Sequence, residues 1–285
     1  MRKLLMLVVC ALVALLFATC DKVEGPFYII PENEDVTVVF PDLDPSSVYR
    51  KVLFEEFTGH RCTNCPDGHL KLEELQERYG DTLVAVGIHF GSLAKPVGET
   101  FSYDFRTEAG NRIGEAYAID AIPAAIINRN HKEGGWPRNQ WLSVMPTIDR
   151  TKVPAAIQII NEYDENNKTV KSNVKVTLLQ NYNNELHLVL LLLEDGIVKP
   201  QKDGSQDILD YVHNHVLRAS LTDPFGYVLR NGTVSWSAGD TEMFASTIDF
   251  SETDWVPENC CVVAFLLDPV NEEVLQVEKL DVISR

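Results

Sequence analysis

The spacing of hydrophobic residues changes near residue 153. From Lys51 onward, KVLFEEFTG and TLVAVGIHF are typical of buried strands, and CTNCPDGHLKLEELQERYG between them is typical of a helix that ends at Gly80. A further helix is expected in YDFRTEAGNRIGEAY, and a further strand, AIPAAIINR, opens around Pro123. This alternation of strand and helix predicts an α/β domain over residues 51–153.

Residues 154–285 have a different pattern, typical of an antiparallel β-sandwich. Short, alternating and β-branched segments such as ELHLVLLLLED, YVHNHVLRAS and CCVVAFLLD are separated by turn sequences such as ENNK and NYNN. The expected fold class is therefore an α/β domain followed by an all-β sandwich. Residues 20–50 precede both and are interpreted as a tether with one edge strand, Val36 to Phe40, between proline-containing turns.

Residues 1–19 have the features of a signal peptide. Basic residues precede an apolar stretch, which ends in FATC at Cys20. The position of Cys20 resembles a bacterial lipobox, so Cys20 is expected to be lipidated and to become the N-terminus. A plain secreted chain or an uncleaved anchor is the alternative, because Phe17 and Thr19 depart from the usual lipobox residues. The net charge of −17 argues against a nucleic-acid partner and against docking on anionic lipid.

Cys62 and Cys65 form a Cys-x-x-Cys pair between a predicted strand and a predicted helix. A zinc site is one interpretation, with His60 and His69 as further ligands, although no second Cys-x-x-Cys follows. The strand–Cys-x-x-Cys–helix order favours redox chemistry. Cys62, at the start of the helix beside Arg61, is expected to be the more exposed, lower-pKa, attacking thiol. Cys65, one turn inside, is expected to resolve the mixed disulfide.

The segment VLFEEFTGHRCTNC resembles the active-site segment of thioredoxins. Their buried acid lies six residues before the first cysteine, where this chain has Glu56, and the resemblance implies that Glu56 assists proton transfer at Cys65. A solvated edge carboxylate is the alternative, and Glu55, on the opposite face of the strand, is expected at the surface. DAIPAAIIN resembles the segment with the thioredoxin cis-proline, which implies a cis bond between Ile122 and Pro123; a trans proline opening a strand is the alternative.

The chain also resembles a narrower family, the outer membrane protein 28 family of Bacteroidetes lipoproteins. LFEEFTGHRCTNCP, YVHNHVLR and VVAFLLD…VLQVEK carry this resemblance, which spans almost all of the mature chain. It implies a thioredoxin-like domain followed by an immunoglobulin-like sandwich at the outer membrane, and no established enzymatic activity. The substrate, the redox direction and the membrane face stay open.

Two functions from different classes are therefore expected. The leading hypothesis is a lipid-anchored thiol–disulfide oxidoreductase of the cell envelope, which acts on protein thiols or disulfides through a mixed disulfide at Cys62 and uses no metal or other cofactor. The rival hypothesis is a surface binding or adhesion module in which Cys62–Cys65 is a structural disulfide.

Two further pairs lie in the predicted sandwich. His213 and His215, two apart on a predicted strand, are expected to share one face with Tyr211 and to serve a structural or domain-interface role rather than bind a metal. Cys260 and Cys261 are expected to point to opposite faces, one buried and one partly exposed.

Overall fold

The structure is a computed structural model that describes residues 33–130 and 133–283; Cys20 and the predicted signal peptide lie outside the described residues. The helices are α1 (Cys65–Tyr79), α2 (Glu108–Ala116) and α3 (Trp141–Val144). The strands of the first region are β1 (Val52–Thr58), β2 (Leu83–His89), β3 (Ala124–Ile127) and β4 (Trp136–Pro137). Those of the second region are β5 (Ala155–Asp164), β6 (Thr169–Leu178), β7 (His187–Glu194), β8 (Ile197–Val198), β9 (Gln201–Asp203), β10 (Gln206–Ile208), β11 (Val212–His213), β12 (Val216–Ser220), β13 (Tyr227–Val228), β14 (Thr241–Asp249), β15 (Cys260–Asp268) and β16 (Glu273–Asp281).

One large mixed sheet runs through both regions. Its strand order is β16-β15-β7-β12-β2-β1-β3-β4, with β13 paired to β7. The two regions join where β12 lies parallel to β2, at Val216 beside Gly87. The Gly87 N–H donates to the carbonyl of His215 at 2.6 Å, and a Cβ at Gly87 would lie only 3.3 Å from that oxygen, so glycine permits the close approach. The boundary near residue 153 stays a prediction, and the sheet continues across it.

Three apolar cores hold the sheet and its covering elements together. The first lies between the large sheet and a separate three-stranded sheet, β14-β6-β5, and includes Val174, Leu190, Phe244 and Val262. The second joins β1, β2 and α2 to the second region and includes Leu53, Phe57, Ile113, Leu191 and Phe265. The third lies under α1 and α3 and includes Val52, Phe54, Leu72 and Trp141. Both faces of β1 are therefore buried.

The structure confirms a largely β protein with a mixed sheet and helices, but it differs from the predicted elements at two places. Val36 to Phe40 is not a strand. Glu34, just before this segment, lies against β14: its N–H donates to the Ala245 carbonyl, and its carboxylate accepts from the Thr247 N–H. One backbone bond and one side-chain bond thus hold Glu34 here, without the repeated backbone pairing of a strand.

The second difference lies in the segment YVHNHVLRAS, which was expected to be one strand. It is divided into β11 and β12, because His215 between them adopts a positive φ of 57°. His213 and His215 consequently do not lie two apart on one strand and share its face, as was predicted. No helix of the part of the chain that the structure describes is long and apolar enough to cross a membrane.

Candidate functional site

Cys62 and Cys65 are joined in a disulfide at the start of α1. The helix begins at Cys65, so Cys62 lies in the preceding turn, where its N–H donates to the carbonyl of Gly59 at 2.9 Å. Both cysteines are buried in this oxidised state, Cys62 at 2% and Cys65 at 0% exposure, so the expected difference in exposure between them is small. The cysteines are buried because other loops pack around this turn, and the position of Cys62 before the helix does not reveal that packing.

A hairpin from the second region, β9 and β10, holds the turn that carries Cys62. The side-chain amide of Gln201 donates to the carbonyl of Cys62 at 3.0 Å. On the same hairpin, the Lys202 N–H donates to the His60 carbonyl at 2.8 Å, and the Gly204 N–H donates to the Thr63 carbonyl at 3.0 Å. These three contacts tie the cysteine loop to residues about 140 positions further along the chain.

Glu56 lies on the face of β1 that α1 covers. A Cβ added at Gly68 of α1 would lie 3.0 Å from Glu56 Oε1 and 3.1 Å from Pro123 Cβ, so these three residues meet under the first turns of the helix. Gly68 follows Cys65 by three residues and shares its face of the helix. The alternative of a solvated Glu56 is wrong, since its side chain is buried and Oε1 has no hydrogen-bond partner. Burial raises the pKa of Glu56 to about 8.

Glu55, expected at the surface, is buried on the opposite face of β1. Its carboxylate pairs with the guanidinium of Arg129 at 2.8 Å, and neither side chain is exposed. The Arg129 guanidinium also lies 4.7 Å from the ring centroid of Phe265. The surface expectation failed because strands of the second region cover this face of the sheet.

Pro123 and Arg61 were the other two predicted site residues. The Ile122–Pro123 bond is cis, as the resemblance implied, and the Ile122 carbonyl oxygen lies 3.7 Å from Cys62 Sγ. The Arg61 guanidinium instead donates to the Lys95 carbonyl at 3.1 Å. Pro123 therefore lies at the disulfide, whereas the polar end of Arg61 binds a neighbouring loop.

A small polar cavity lies beside Glu56, between the two regions. Its volume is about 70 Å³, and its lining includes Glu56, Thr58, His69, Gln76, His89, Tyr211, His213 and His215. Sequence reasoning gave no role to Thr58, Gln76 or His89, and it placed Tyr211 with the histidine pair and not at Glu56. The only signal for Tyr211 was its place beside the histidine pair. His213 and His215 lie at the contact between the regions, and the His215 ring is 2.9 Å from the Gln76 amide.

The buried histidines around this cavity are neutral at physiological pH. Burial lowers the pKa of His69 to about 4 and that of His213 to about 3. Burial also holds the pKa of His89 well below its usual value. Within residues 33–130 and 133–283, no three or more His, Cys, Asp or Glu side chains are grouped so that they could hold a metal ion.

The remaining described cysteines are free thiols far along the chain, on β15. Cys260 is buried and Cys261 is partly exposed, which confirms the expected arrangement. Burial raises the pKa of Cys261 to about 12 and that of Cys260 further, so neither thiol is activated as a nucleophile.

Comparison with known proteins assigns the chain to a family through its later part. Residues 111–284 match the family model described as outer membrane protein Omp28. None of the curated proteins compared with the chain matches it. The matched residues begin after Cys62 and Cys65, so the match itself does not describe the disulfide.

Solved structures show the fold that the chain shares. HBP35 of Porphyromonas gingivalis is similar over 82% of this chain and 76% of that chain, with 17% identity and a TM-score of 0.62. A protein of Agrobacterium tumefaciens is similar over 84% and 97%, with 12% identity and a TM-score of 0.50. A domain of the outer membrane lipoprotein Omp28 from Porphyromonas gingivalis covers 47% of this chain and 93% of its own, with 23% identity and a TM-score of 0.29.

Proposed function

The chain belongs to the outer membrane protein Omp28 family, and on that premise we propose that it exchanges thiols and disulfides in the cell envelope through Cys62 and Cys65. The observation that carries this proposal is Glu56, a buried carboxyl group without a partner for Oε1, next to the face of α1 that bears Cys65. A buried, unpaired acid costs stability, and it is useful where a proton must be taken up and released.

The chemistry follows from these positions. In the reduced protein the Cys62 thiolate attacks one sulfur of a client disulfide, forms a mixed disulfide and releases the first client thiolate. Ionised Glu56 accepts the proton of Cys65, whose thiolate then attacks the Cys62 sulfur. The Cys62–Cys65 disulfide closes and the second client thiolate leaves. The client gains two electrons and the protein loses two; each step is reversible, so a client dithiol can drive the reaction backwards.

The two regions are proposed to be thioredoxin-like and immunoglobulin-like, respectively. Parallel β1 and β2, antiparallel β3 and a helix that begins at the second cysteine support the first assignment. The three-stranded sheet packed across an apolar core from β7 and β15 supports the second.

Trapping separates the roles of the two cysteines. Cys65→Ser should accumulate mixed disulfides with client proteins, because the resolving thiol is absent, and Cys62→Ser should accumulate few, because the attacking thiol is absent. Cys261→Ser is the matched control and should behave as the wild type. Equal trapping by Cys62→Ser and Cys65→Ser, seen on non-reducing gels, would contradict the assignment.

A binding or adhesion module with a structural disulfide is the second candidate. The burial of both sulfurs and the three hydrogen bonds from the β9–β10 hairpin favour it. The reduction potential discriminates between the two functions, since structural disulfides in secreted proteins have potentials below about −300 mV and catalytic ones are less negative. Loss of folding on reduction, with no trapped client, would support the structural role.

Attachment to the membrane is proposed to occur through lipid on Cys20. The support is the FATC sequence that ends the predicted signal peptide, followed by polar residues. Metabolic labelling with a fatty-acid probe should mark the wild type and leave Cys20→Ala unmarked. Equal labelling of both proteins would remove the proposed anchor.

A further inference from the structure

A row of polar side chains leads from Glu56 to the surface. His69 on α1 is its centre: its Nε2 lies 3.8 Å from Glu56 Oε1, and its Nδ1 lies 2.6 Å from the hydroxyl of Tyr211. Thr58 contacts the same ring nitrogen that faces Glu56, with its hydroxyl 3.0 Å from Nε2. Tyr211 comes from the second region and is only half-buried, so the row connects a buried acid with solvent.

The cavity of about 70 Å³ fills the space between these groups. Glu56, Thr58, His69 and Tyr211 all line it, and a polar cavity of this size accommodates water. The distance of 3.8 Å between Glu56 and His69 is too long for a direct hydrogen bond, and one bridging water or a small side-chain shift closes it. The other titratable groups that line the cavity are Glu73, His89, His213 and His215.

On the premise that Cys62 and Cys65 exchange with clients, we propose that His69 and Tyr211 carry protons between Glu56 and solvent. When Glu56 loses its proton, Nε2 of His69 receives one, Nδ1 passes its own proton to the Tyr211 oxygen, and the Tyr211 hydroxyl proton goes to water. One proton leaves the row for each one that enters it. The second region thus completes the site of the first, and Tyr211 acts as a positioning and relay residue.

The electrostatics of the two relay groups fit this role. Burial lowers the pKa of His69 to about 4 and raises that of Tyr211, so both are neutral at physiological pH. A neutral imidazole presents one donor and one acceptor nitrogen, and a tyrosine hydroxyl presents both functions on one oxygen. The completed transfer therefore leaves His69 and Tyr211 neutral, and the charge that it creates in the cavity is the Glu56 carboxylate.

Tyr211→Phe tests the relay in single-turnover closure of the reduced protein by oxidised glutathione. Glu56 has a pKa of about 8, so below that pH it must release its proton to solvent before it can accept the proton of Cys65. Tyr211→Phe should slow closure by at least about tenfold in that range. Above pH 8 Glu56 is already ionised, and the difference should disappear. The matched control is Tyr163→Phe on β5, because Tyr163 does not line the cavity.

A second variant separates the relay from a structural role. His69→Ala should slow closure with the same pH dependence, and added imidazole should restore it. Slowing by the same factor at every pH, or closure as fast as in Tyr163→Phe, would overturn the relay while leaving exchange intact. A wild-type protein whose thiols do not react with oxidised glutathione would instead overturn the proposed function, and this would be seen before any variant is compared.

Discussion

Glu55 and Glu56 are adjacent on β1, point to opposite faces of the sheet and are both buried, at 0% and 2% exposure. The Glu55 carboxylate is neutralised by Arg129 at 2.8 Å under the ring of Phe265. Glu56 faces α1 and a polar cavity. Among the described residues, its one near basic group is the His69 ring at 3.8 Å, and this ring is neutral at physiological pH.

The contrast shows that two buried carboxyl groups on one strand can differ in whether a cation compensates their charge. A buried carboxylate with a bidentate arginine is fixed as an anion, because removing either partner leaves an uncompensated charge. A buried carboxyl without such a partner is held protonated by desolvation and can change its charge when a nearby group does. Glu55 is therefore held by Arg129, whose guanidinium also contacts Pro224 and Phe265 of the second region, whereas Glu56 keeps the freedom to change its charge.

The largest expected effect is on the pH dependence of stability in Glu56→Gln. Folding raises the pKa of Glu56 from 4.5 to about 8, so the folded protein holds a proton that the unfolded chain loses in this range. Wild-type stability should consequently fall, relative to the variant, as the pH rises from 4.5 to 8, by up to about 5 kcal/mol. Below pH 4.5 Glu56 is protonated in both the folded and the unfolded state, so it causes no further change of stability with pH.

Urea unfolding of wild type and variant at about pH 4 and about pH 9 measures this difference. The difference between the proteins is the useful quantity, because the buried histidines lower stability in acid in both of them. Their depressed pKa values mean that the unfolded chain takes up protons first. Glu99→Gln, at an exposed glutamate, is the matched control. A constant gap between Glu56→Gln and wild type at both pH values would contradict a protonated Glu56.

The next effect comes from the other glutamate. Arg129→Met should destabilise the protein by about 3–5 kcal/mol, because it leaves the Glu55 carboxylate buried and unpaired. Replacing both partners, in Glu55→Leu with Arg129→Met, should recover most of this loss. The matched control is Arg138→Met, whose partner Asp67 is half exposed, and it should cost less than about 1 kcal/mol. Equal losses for Arg129→Met and Arg138→Met would remove the distinction between buried and exposed pairs.

The faces on which the β1 side chains lie could be predicted from the sequence, but the residues that contact Glu55 could not. Alternation along VLFEEFT correctly puts the two glutamates on opposite faces, and it puts Leu53 and Phe57 beside Glu55. Apolar neighbours on both faces were a signal that both glutamates are buried. Arg129 and Phe265 could not be named as partners from the sequence. They lie 74 or more residues further along the chain, and they reach this face of β1 only through tertiary packing.

The residues of the candidate site also fall into those that a local motif predicts and those that only tertiary packing brings in. The Cys-x-x-Cys pair, the acid six residues before it and the proline before β3 all lie in one region and follow a local pattern. Tyr211, His213 and the β9–β10 hairpin come from the second region, and their placement depends on the junction of β2 with β12. Local spacing specifies chemistry within one motif, whereas the burial of Cys62 and the path from Glu56 to solvent are products of tertiary packing.

The smallest expected effect concerns Arg61, whose charge was expected to activate Cys62. Its guanidinium binds the Lys95 carbonyl and is partly exposed, so solvent screens its field, unlike that of buried Arg129. Arg61→Gln should therefore shift the pKa of Cys62 in the reduced protein by less than about one unit. Alkylation rates as a function of pH give this value, with Arg78→Gln in the last turn of α1 as the control. A larger shift in Arg61→Gln alone would return Arg61 to the site, and would show that a partly exposed charge acts on Cys62 despite the solvent around it.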